Sequence, residues 1–159
     1  MRILITNDDG INAPGLEVAK KIAKSIIGNK KGKITIIAPS SEKSGVSHSI
    51  SFVRPSLIQE INKNKYSLEG TPADCVLAGV NYVMKNKKPD LIISGVNFGR
   101  NISDDILYSG TVGAAMEGAL NGIKSIALSQ QYSKKTYESD NPFKCALKYG
   151  TDICNKILN

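Results

Sequence analysis

The stretch ILITNDDGINAPG, residues 3–15, carries a short apolar run directly into two adjacent aspartates, Asp8 and Asp9. The β-branched residues of the run predict a buried strand, and an apolar stripe at helical spacing follows it at 15–27. A hairpin is therefore disfavoured, although Asp-Gly is a common turn dipeptide. Two carboxylates in this position either face water in a turn or share a cation, and this stretch alone leaves both interpretations open.

Strand and helix patterns alternate along the rest of the chain. Continuous apolar runs predict buried strands at 2–6, 33–39, 90–95 and 125–129. Helical periodicity predicts helices at 15–27, 72–86, 111–122 and, after a polar linker, 141–159. Alternation of this kind predicts an α/β fold, a Rossmann-like three-layer sandwich with a mostly parallel sheet, in a single domain covering residues 1–159.

Residues 40–70 have a different sequence pattern from the alternating strands and helices. A polar loop is followed by the short runs ISFV, SLIQEI and KYSLEG, which combine β-branched or aromatic residues with turn residues. We therefore predict a small β-excursion around residues 49–70, inserted into the α/β frame.

Composition narrows the functional class. The formal charge is +7, which suits an anionic partner, but the lysines are scattered with few aromatics between them, and this is more typical of a solvated surface than of a nucleic-acid groove. No apolar run approaches the roughly 18 residues of a membrane span, and the N-terminus lacks the pattern of a signal peptide, so we expect a cytoplasmic protein without a membrane partner. The three cysteines lack C-x-x-C spacing and indicate buried reduced thiols.

Polar residues follow three of the predicted strands: Asp8 and Asp9 after the first, residues 40–47 after the second and 95–109 after the third. Parallel sheets bind ligands outside the carboxyl ends of their strands. Paired carboxylates there can both stay ionised beside a divalent cation, and hard oxygen ligands favour Mg²⁺ or Mn²⁺. The single histidine, His48, makes a His-rich zinc or iron site implausible; it is either a solvated loop residue or a general acid.

Two further segments offer groups for a metal or a phosphate. Asn97 offers an amide oxygen between flanking glycines, although ordinary loop chemistry explains it equally well. Ser109, Gly110 and Thr111 directly precede a predicted helix, whose N-terminus suits a phosphate, but a serine or threonine there can equally be an N-cap. Neither the Gly-x-x-x-x-Gly-Lys-Ser/Thr phosphate loop nor a Gly-x-Gly-x-x-Gly motif follows the first strand.

Five segments in order, ILITNDDG, APSSEKSG, GTPADCV, SGVNFGRN and YSGTVGAAMEG, resemble the stationary-phase survival protein SurE family from residue 1 to about residue 129. Members of that family are divalent-metal-dependent phosphatases of nucleoside 5′- and 3′-monophosphates. The resemblance implies one Mg²⁺ or Mn²⁺ per subunit, bound by Asp8, Asp9, Ser44 and Asn97. It implies a phosphate pocket formed by Asn101, Ser109, Gly110 and Thr111, and it names as catalytic residues Asp8, Asp9 and Asn97. The GTPADCV segment is expected to be scaffold and not part of the chemistry.

The resemblance also implies partners and a larger protein. Family members continue with another strand and an extended arm used in assembly, so the chain is expected to lack the family's C-terminal part and to belong to a family of homodimers or homotetramers. The implied substrates are nucleoside monophosphates, hydrolysed to nucleoside and phosphate, with short polyphosphate as a further candidate and no specific nucleic acid as partner. Either water or Asp8 would be the nucleophile.

Two other interpretations stay open at this point. One is a non-catalytic protein that binds nucleotides or RNA through its basic surface, and it predicts salt-sensitive binding without turnover. The other is a different α/β enzyme that uses the acidic pair for a sugar nucleotide.

Overall fold

A computed structural model describes residues 1–139 and 141–159 of the chain. The strands are β1 (Arg2–Thr6), β2 (Lys33–Pro39), β3 (Ile58–Asn62), β4 (Lys65–Leu68), β5 (Leu91–Phe98) and β6 (Lys124–Gln130). The helices are α1 (Pro14–Ile27), α2 (Pro72–Ala78), α3 (Asp105–Tyr108), α4 (Gly110–Leu120), α5 (Lys134–Tyr137) and α6 (Lys144–Leu158), and a π-helical turn (Gly79–Val83) extends α2.

The six strands form one sheet in the order β3-β4-β2-β1-β5-β6. Every neighbouring pair is parallel except β3 and β4, which confirms the predicted mostly parallel sheet. The chain leaves β1 for β2 on one side and later returns to place β5 on the other side. The strand order therefore reverses at the β1–β5 boundary, and the carboxyl ends of these two strands flank the crevice that this reversal opens.

Helices cover both faces of the sheet, as the alternating pattern predicted. Ile3 and Ile5 face a core that α1 and α6 complete, whereas Leu4 faces a second core that contains residues of α2 and α4. This alternation arises because successive strand side chains point to opposite faces. The N-terminus of α1 lies against β5 at Gly15, where an added Cβ would clash with the Val96 carbonyl oxygen.

The β-excursion differs from its prediction in one respect. β3 and β4 form an antiparallel hairpin, and β4 pairs with β2, so the hairpin extends the main sheet at its edge. The prediction of a strand at ISFV is wrong, because residues 50–53 are not in a strand. Phe52 and Val53 are 89% and 94% exposed, so no packing favours an extended ladder there.

Smaller differences concern the predicted helices and linker. The helix predicted over 72–86 ends as an α-helix at Ala78 and continues only as the π-helical turn. The polar linker contains α5, and its residue 140 lies outside the described residues. The three cysteines are free thiols, as predicted, but Cys145 is exposed whereas Cys75 and Cys154 are buried.

Candidate metal and phosphate site

Asp8 follows β1 and is held by the start of α4. Its side chain is 3% exposed, the backbone N–H of Thr111 donates to its Oδ2 at 3.0 Å, and the Thr111 hydroxyl donates to its Oδ1. Both carboxylate oxygens are therefore oriented by one residue that lies 103 positions away in the sequence.

The start of α4 is built for this close approach. Ser109 is the N-cap, because its Oγ accepts the Val112 backbone N–H at 3.1 Å, so the capping alternative is realised for this residue. An added Cβ at Gly110 would lie 2.9 Å from the Asp8 Cβ and 3.2 Å from its Oδ2. Glycine at this position lets the helix N-terminus and its positive dipole end reach the carboxylate.

Asp9 lies beside the end of β5. Its carboxylate accepts a hydrogen bond from the Phe98 backbone, next to Asn97. Asn97 is 8% exposed, and its Nδ2 donates to the Gly99 carbonyl oxygen at 3.1 Å, which directs the amide oxygen away from that contact. The structure thus brings Asp8, Asp9 and Asn97 to the crevice between β1 and β5.

The surroundings of Asp8 and Asp9 disfavour the charged forms of both carboxylates. Burial raises the pKa of Asp9 to about 6, with the neighbouring Asp8 charge as the second cause. Burial also raises the pKa of Asp8, although the hydrogen bonds from Thr111 oppose it. Within residues 1–139 and 141–159, no lysine, arginine or histidine nitrogen lies within 4.0 Å of either carboxylate.

The loop after β2 brings a third carboxylate toward the pair. The Lys43 backbone N–H donates to the Asp8 carbonyl oxygen at 2.7 Å, which docks the loop on the end of β1. The negative charge of Glu42 contributes to the raised pKa values of Asp8 and Asp9. Sequence reasoning missed Glu42, although its position two residues before Ser44 in the same acidic-polar loop was an available signal.

Ser44, the predicted fourth metal ligand, is in this docked loop and is exposed. Its backbone N–H donates to the Glu42 Oε1 at 2.7 Å. Ser44 also lowers the pKa of Glu42, mainly through its side chain and then through its backbone N–H. Ser44 therefore lies on the loop that contacts Asp8, and its polar groups are directed to Glu42.

Asn101 lies in the loop between β5 and α3. Its Nδ2 donates to the Arg100 carbonyl oxygen at 2.9 Å, and its backbone N–H donates to the Ser129 Oγ at 3.3 Å. Its Oδ1 is buried and has no hydrogen-bond partner among the described residues. Asn101 is thus held by its own loop and by β6, near the carboxyl edge of the sheet.

His48 is partly buried and contacts α4. Its Nε2 lies 2.8 Å from the Oε2 of Glu117, which is 5% exposed, and Asn121 donates to the Glu117 Oε1 at 2.8 Å. Gly113 permits this docking, because an added Cβ there would lie 2.6 Å from the Ser47 carbonyl oxygen. The expectation of a solvated loop histidine is wrong: His48 attaches the loop to α4.

The donor set fits a hard divalent cation. Two carboxylates, an amide and a hydroxyl supply oxygen ligands of the kind that Mg²⁺ and Mn²⁺ prefer. In the described part of the chain, no group of three or more His, Cys, Asp or Glu side chains is placed to hold a metal. A metal at this edge would therefore rely on the neutral oxygens of Asn97 and Ser44 beside the two aspartates.

The fold and this site define a doubly wound α/β protein in which an acidic pair and a helix N-terminus meet at the topological switch point, where such sheets bind ligands.

The comparison with known proteins identifies the family. The model of the family described as "Survival protein SurE" matches residues 3–159, and the chain belongs to this family. It is 53% identical to the 5′-nucleotidase SurE of Jannaschia sp. (strain CCS1) and 50% identical to that of Roseobacter denitrificans, in each case over 99% of this chain. The chain spans about 60% of the length of these relatives.

A solved structure gives the same result for the fold. The crystal structure of the SurE protein from Aquifex aeolicus matches the whole chain with a TM-score of 0.86 at 39% identity, and the match covers 60% of that protein. In the described residues, the helices are too short or too polar to cross a membrane.

Proposed function

We propose that this chain is the catalytic part of a divalent-metal-dependent phosphatase that hydrolyses nucleoside 5′-monophosphates to nucleoside and phosphate. The observation that carries the proposal is the pair of Asp8, which is buried, and Asp9, which is half-buried, at the switch point, with no lysine, arginine or histidine nitrogen within 4.0 Å of either carboxylate in the described residues. The relatives named 5′-nucleotidase SurE support the same activity.

Asp8, Asp9, Asn97 and Ser44 are the residues that would hold one Mg²⁺ or Mn²⁺. Such an ion, when bound, neutralises the carboxylates and stabilises negative charge that develops on the phosphoryl oxygens. Asp8 is fixed by Thr111 at both of its oxygens, which suits a stationary ligand and disfavours displacement toward phosphorus. We therefore favour water over Asp8 as the nucleophile.

The first turn of α4 is the proposed phosphate site. Ser109 and Gly110 lie at the N-terminal end of the helix, whose positive dipole end favours an anion. Thr111 completes this segment, and its own donors orient Asp8. Asn101, from the loop after β5, is the proposed further phosphate contact.

Several finer points stay predictions: hydrolysis of 3′-monophosphates and of short polyphosphate, assembly into a homodimer or homotetramer, and a cytoplasmic location. No contact in the described chain bears on them. They are separate from the proposed chemistry of the acidic pair.

The test is a phosphate-release screen of this chain on nucleoside monophosphates with Mg²⁺, Mn²⁺ or no added metal. Asp8→Asn and Asn97→Ala are expected to lower release at least about 100-fold, because each removes an oxygen ligand of the ion. Asp152→Asn, an exposed aspartate on α6, is the matched control and should keep full activity. Full activity in both site variants would refute the assignment, and salt-sensitive oligonucleotide binding without turnover would favour the non-catalytic alternative.

A further inference from the structure

A cavity of about 200 Å³ lies beside the acidic site, lined by Gly99, Arg100, Gln131 and Tyr132. An added Cβ at Gly99 would lie 3.6 Å from the Asn97 Nδ2 and 3.8 Å from the Tyr132 Cε1. Gly99 has a φ of 131°, a conformation that other residues rarely adopt. Asn97 and the Tyr132 ring therefore approach Gly99 from two sides, and the absence of a side chain at Gly99 leaves space between them.

The Tyr132 ring is held in a fixed orientation. It stacks on Phe98 with ring centroids 4.6 Å apart and an interplanar angle of 14°. Tyr137 contacts both rings, at centroid distances of 5.6 Å from Phe98 and 5.4 Å from Tyr132, and the buried Phe143 supports Phe98 from the core. Near-parallel stacking on Phe98 covers one face of Tyr132, Tyr137 contacts the ring at a tilt, and the Cε1 side of the ring faces Gly99 at the cavity.

The outer members of this aromatic cluster, Tyr132 and Tyr137, are exposed. Tyr132 is 43% exposed although its inner neighbour Phe143 is only 3% exposed. Arg100 adds a cation at the cavity, with its Nε 3.2 Å from the Asp105 Oδ2. An exposed, rigid ring beside a guanidinium is the arrangement that stacks a planar, electron-rich ligand.

We propose that Tyr132 is the stacking platform for the nucleobase of the substrate, while the phosphate lies at the first turn of α4 beside Asp8, Asp9 and Asn97. This inference rests on the proposed function and deepens it, because it assigns the part of the site that distinguishes a nucleotide from a simple phosphate ester. Stacking uses the π-face that every base has, so the subsite accepts purines and pyrimidines alike. The phenol hydroxyl is not required.

The first test compares adenosine 5′-monophosphate with ribose 5-phosphate, which has the phosphate and sugar but no base. Tyr132→Ala is expected to raise KM for the nucleotide about tenfold and to leave kcat/KM for ribose 5-phosphate unchanged, because only the base is stacked. Tyr132→Leu, which keeps apolar packing on Phe98 without a π-face, should behave in the same way. Tyr132→Phe should match the natural chain, and Tyr82→Ala is the control at a distant exposed tyrosine.

The second test is calorimetric binding of adenosine, without phosphate and without metal. The natural chain and Tyr132→Phe should bind adenosine, with affinity about tenfold lower in Tyr132→Ala and Tyr132→Leu. If the natural chain releases no phosphate but shows this pattern, the proposed function fails and the base subsite stands.

Three results overturn the subsite. One is phosphate release from both substrates with no effect of Tyr132→Ala or Tyr132→Leu. Another is an equal loss on both substrates, which would mean that Tyr132 supports the structure rather than the base. The third is no adenosine binding by the natural chain at concentrations up to the KM of the nucleotide.

Discussion

Asp74 and Asp8 are both buried aspartates beside the first turn of a helix, and the protein treats their charges in opposite ways. Asp74 is 7% exposed and receives the Thr71 backbone N–H at 2.9 Å in a capping box at the start of α2. Ser51 donates to it twice, from its backbone N–H at 3.0 Å and its hydroxyl at 2.7 Å. Burial by itself would raise the pKa of Asp74, but these hydrogen bonds together lower it.

The Asp8 carboxylate accepts fewer hydrogen bonds than that of Asp74, and a second carboxylate, that of Asp9, adjoins it. Thr111 donates twice to the Asp8 carboxylate, the Asp8 backbone N–H contributes a further hydrogen bond, and the pKa values of both Asp8 and Asp9 are raised, mainly by burial. Asp8 is the more deeply buried of Asp8 and Asp74 and also has fewer donors, so burial raises the pKa of Asp8 whereas hydrogen bonds lower the pKa of Asp74. Asp74 completes a scaffold, whereas the Asp8–Asp9 pair leaves negative charge that a bound cation would satisfy.

The largest expected effect is on activity. Asp9→Asn should lower phosphate release at least about 100-fold, because it removes a charged oxygen from the proposed metal site. Asp74→Asn should keep its kcat in the folded fraction, measured by the same phosphate-release assay. Equal losses in the two variants would abolish the distinction between site and scaffold.

The second expected effect is on stability, and here a change at Asp74 has a larger effect than a change at Asp9. Asp74→Ala should lower the free energy of unfolding by about 3 kcal/mol, because it removes a helix cap and leaves the Ser51 and Thr71 donors without their charged acceptor. Urea titration of the metal-free protein measures this loss. Asp9→Asn should instead match or exceed the natural chain in the same titration, since it removes a charge that burial disfavours.

The third effect is a pH dependence of the metal-free protein. The pKa of Asp9 rises from 3.8 to about 6 on folding, so the folded chain keeps a proton that the unfolded chain has lost. Stability should therefore fall as the pH rises from about 4 to about 6, and the loss should be complete above that range. Thermal melts at several pH values, with Asp9→Asn as reference, measure this contribution; an unchanged difference between the two proteins across the range would contradict it.

The smallest effect concerns Glu42. Its charge adds to the negative potential at Asp8 and Asp9 from an exposed loop, so Glu42→Gln should weaken Mn²⁺ binding only about two- to fivefold at low salt. The difference should shrink at 0.5 M salt, because exposed charges are screened. A loss as large as that of Asp9→Asn would mean that Glu42 is itself a ligand.

The comparison also shows what the sequence reveals. The strand that ends in Asp8 and the stripe of α1 follow from local hydrophobic periodicity, and Pro72 in the first turn of α2 follows from the preferences of helix starts. The placement of Asp8 and Asp9 at the functional edge follows once the strands are taken as parallel. These features depend on neighbours in the chain or on one topological rule.

Long-range contacts were not predictable in this way. The Thr111 hydrogen bonds to Asp8 and the His48 contact with Glu117 join residues 103 and 69 positions apart, and no local pattern encodes either pairing. ISFV has β propensity, but its Phe52 and Val53 side chains are exposed and Ser51 is bound to Asp74, so tertiary context overrides the propensity. Whether Ser44, Asn101, Ser109 and Gly110 bind a ligand stays a prediction.

Calorimetric titration with MnCl₂ tests the central claim most directly, because it measures the binding of a divalent cation without requiring turnover. We expect one equivalent of Mn²⁺ to bind the natural chain and Asp74→Asn with similar affinity, and no measurable binding to Asp8→Asn. Circular dichroism of each variant confirms that the protein titrated is folded. Binding that is absent from the natural chain, or that survives unchanged in Asp8→Asn, would contradict the account of Asp8 and Asp9 as a metal site.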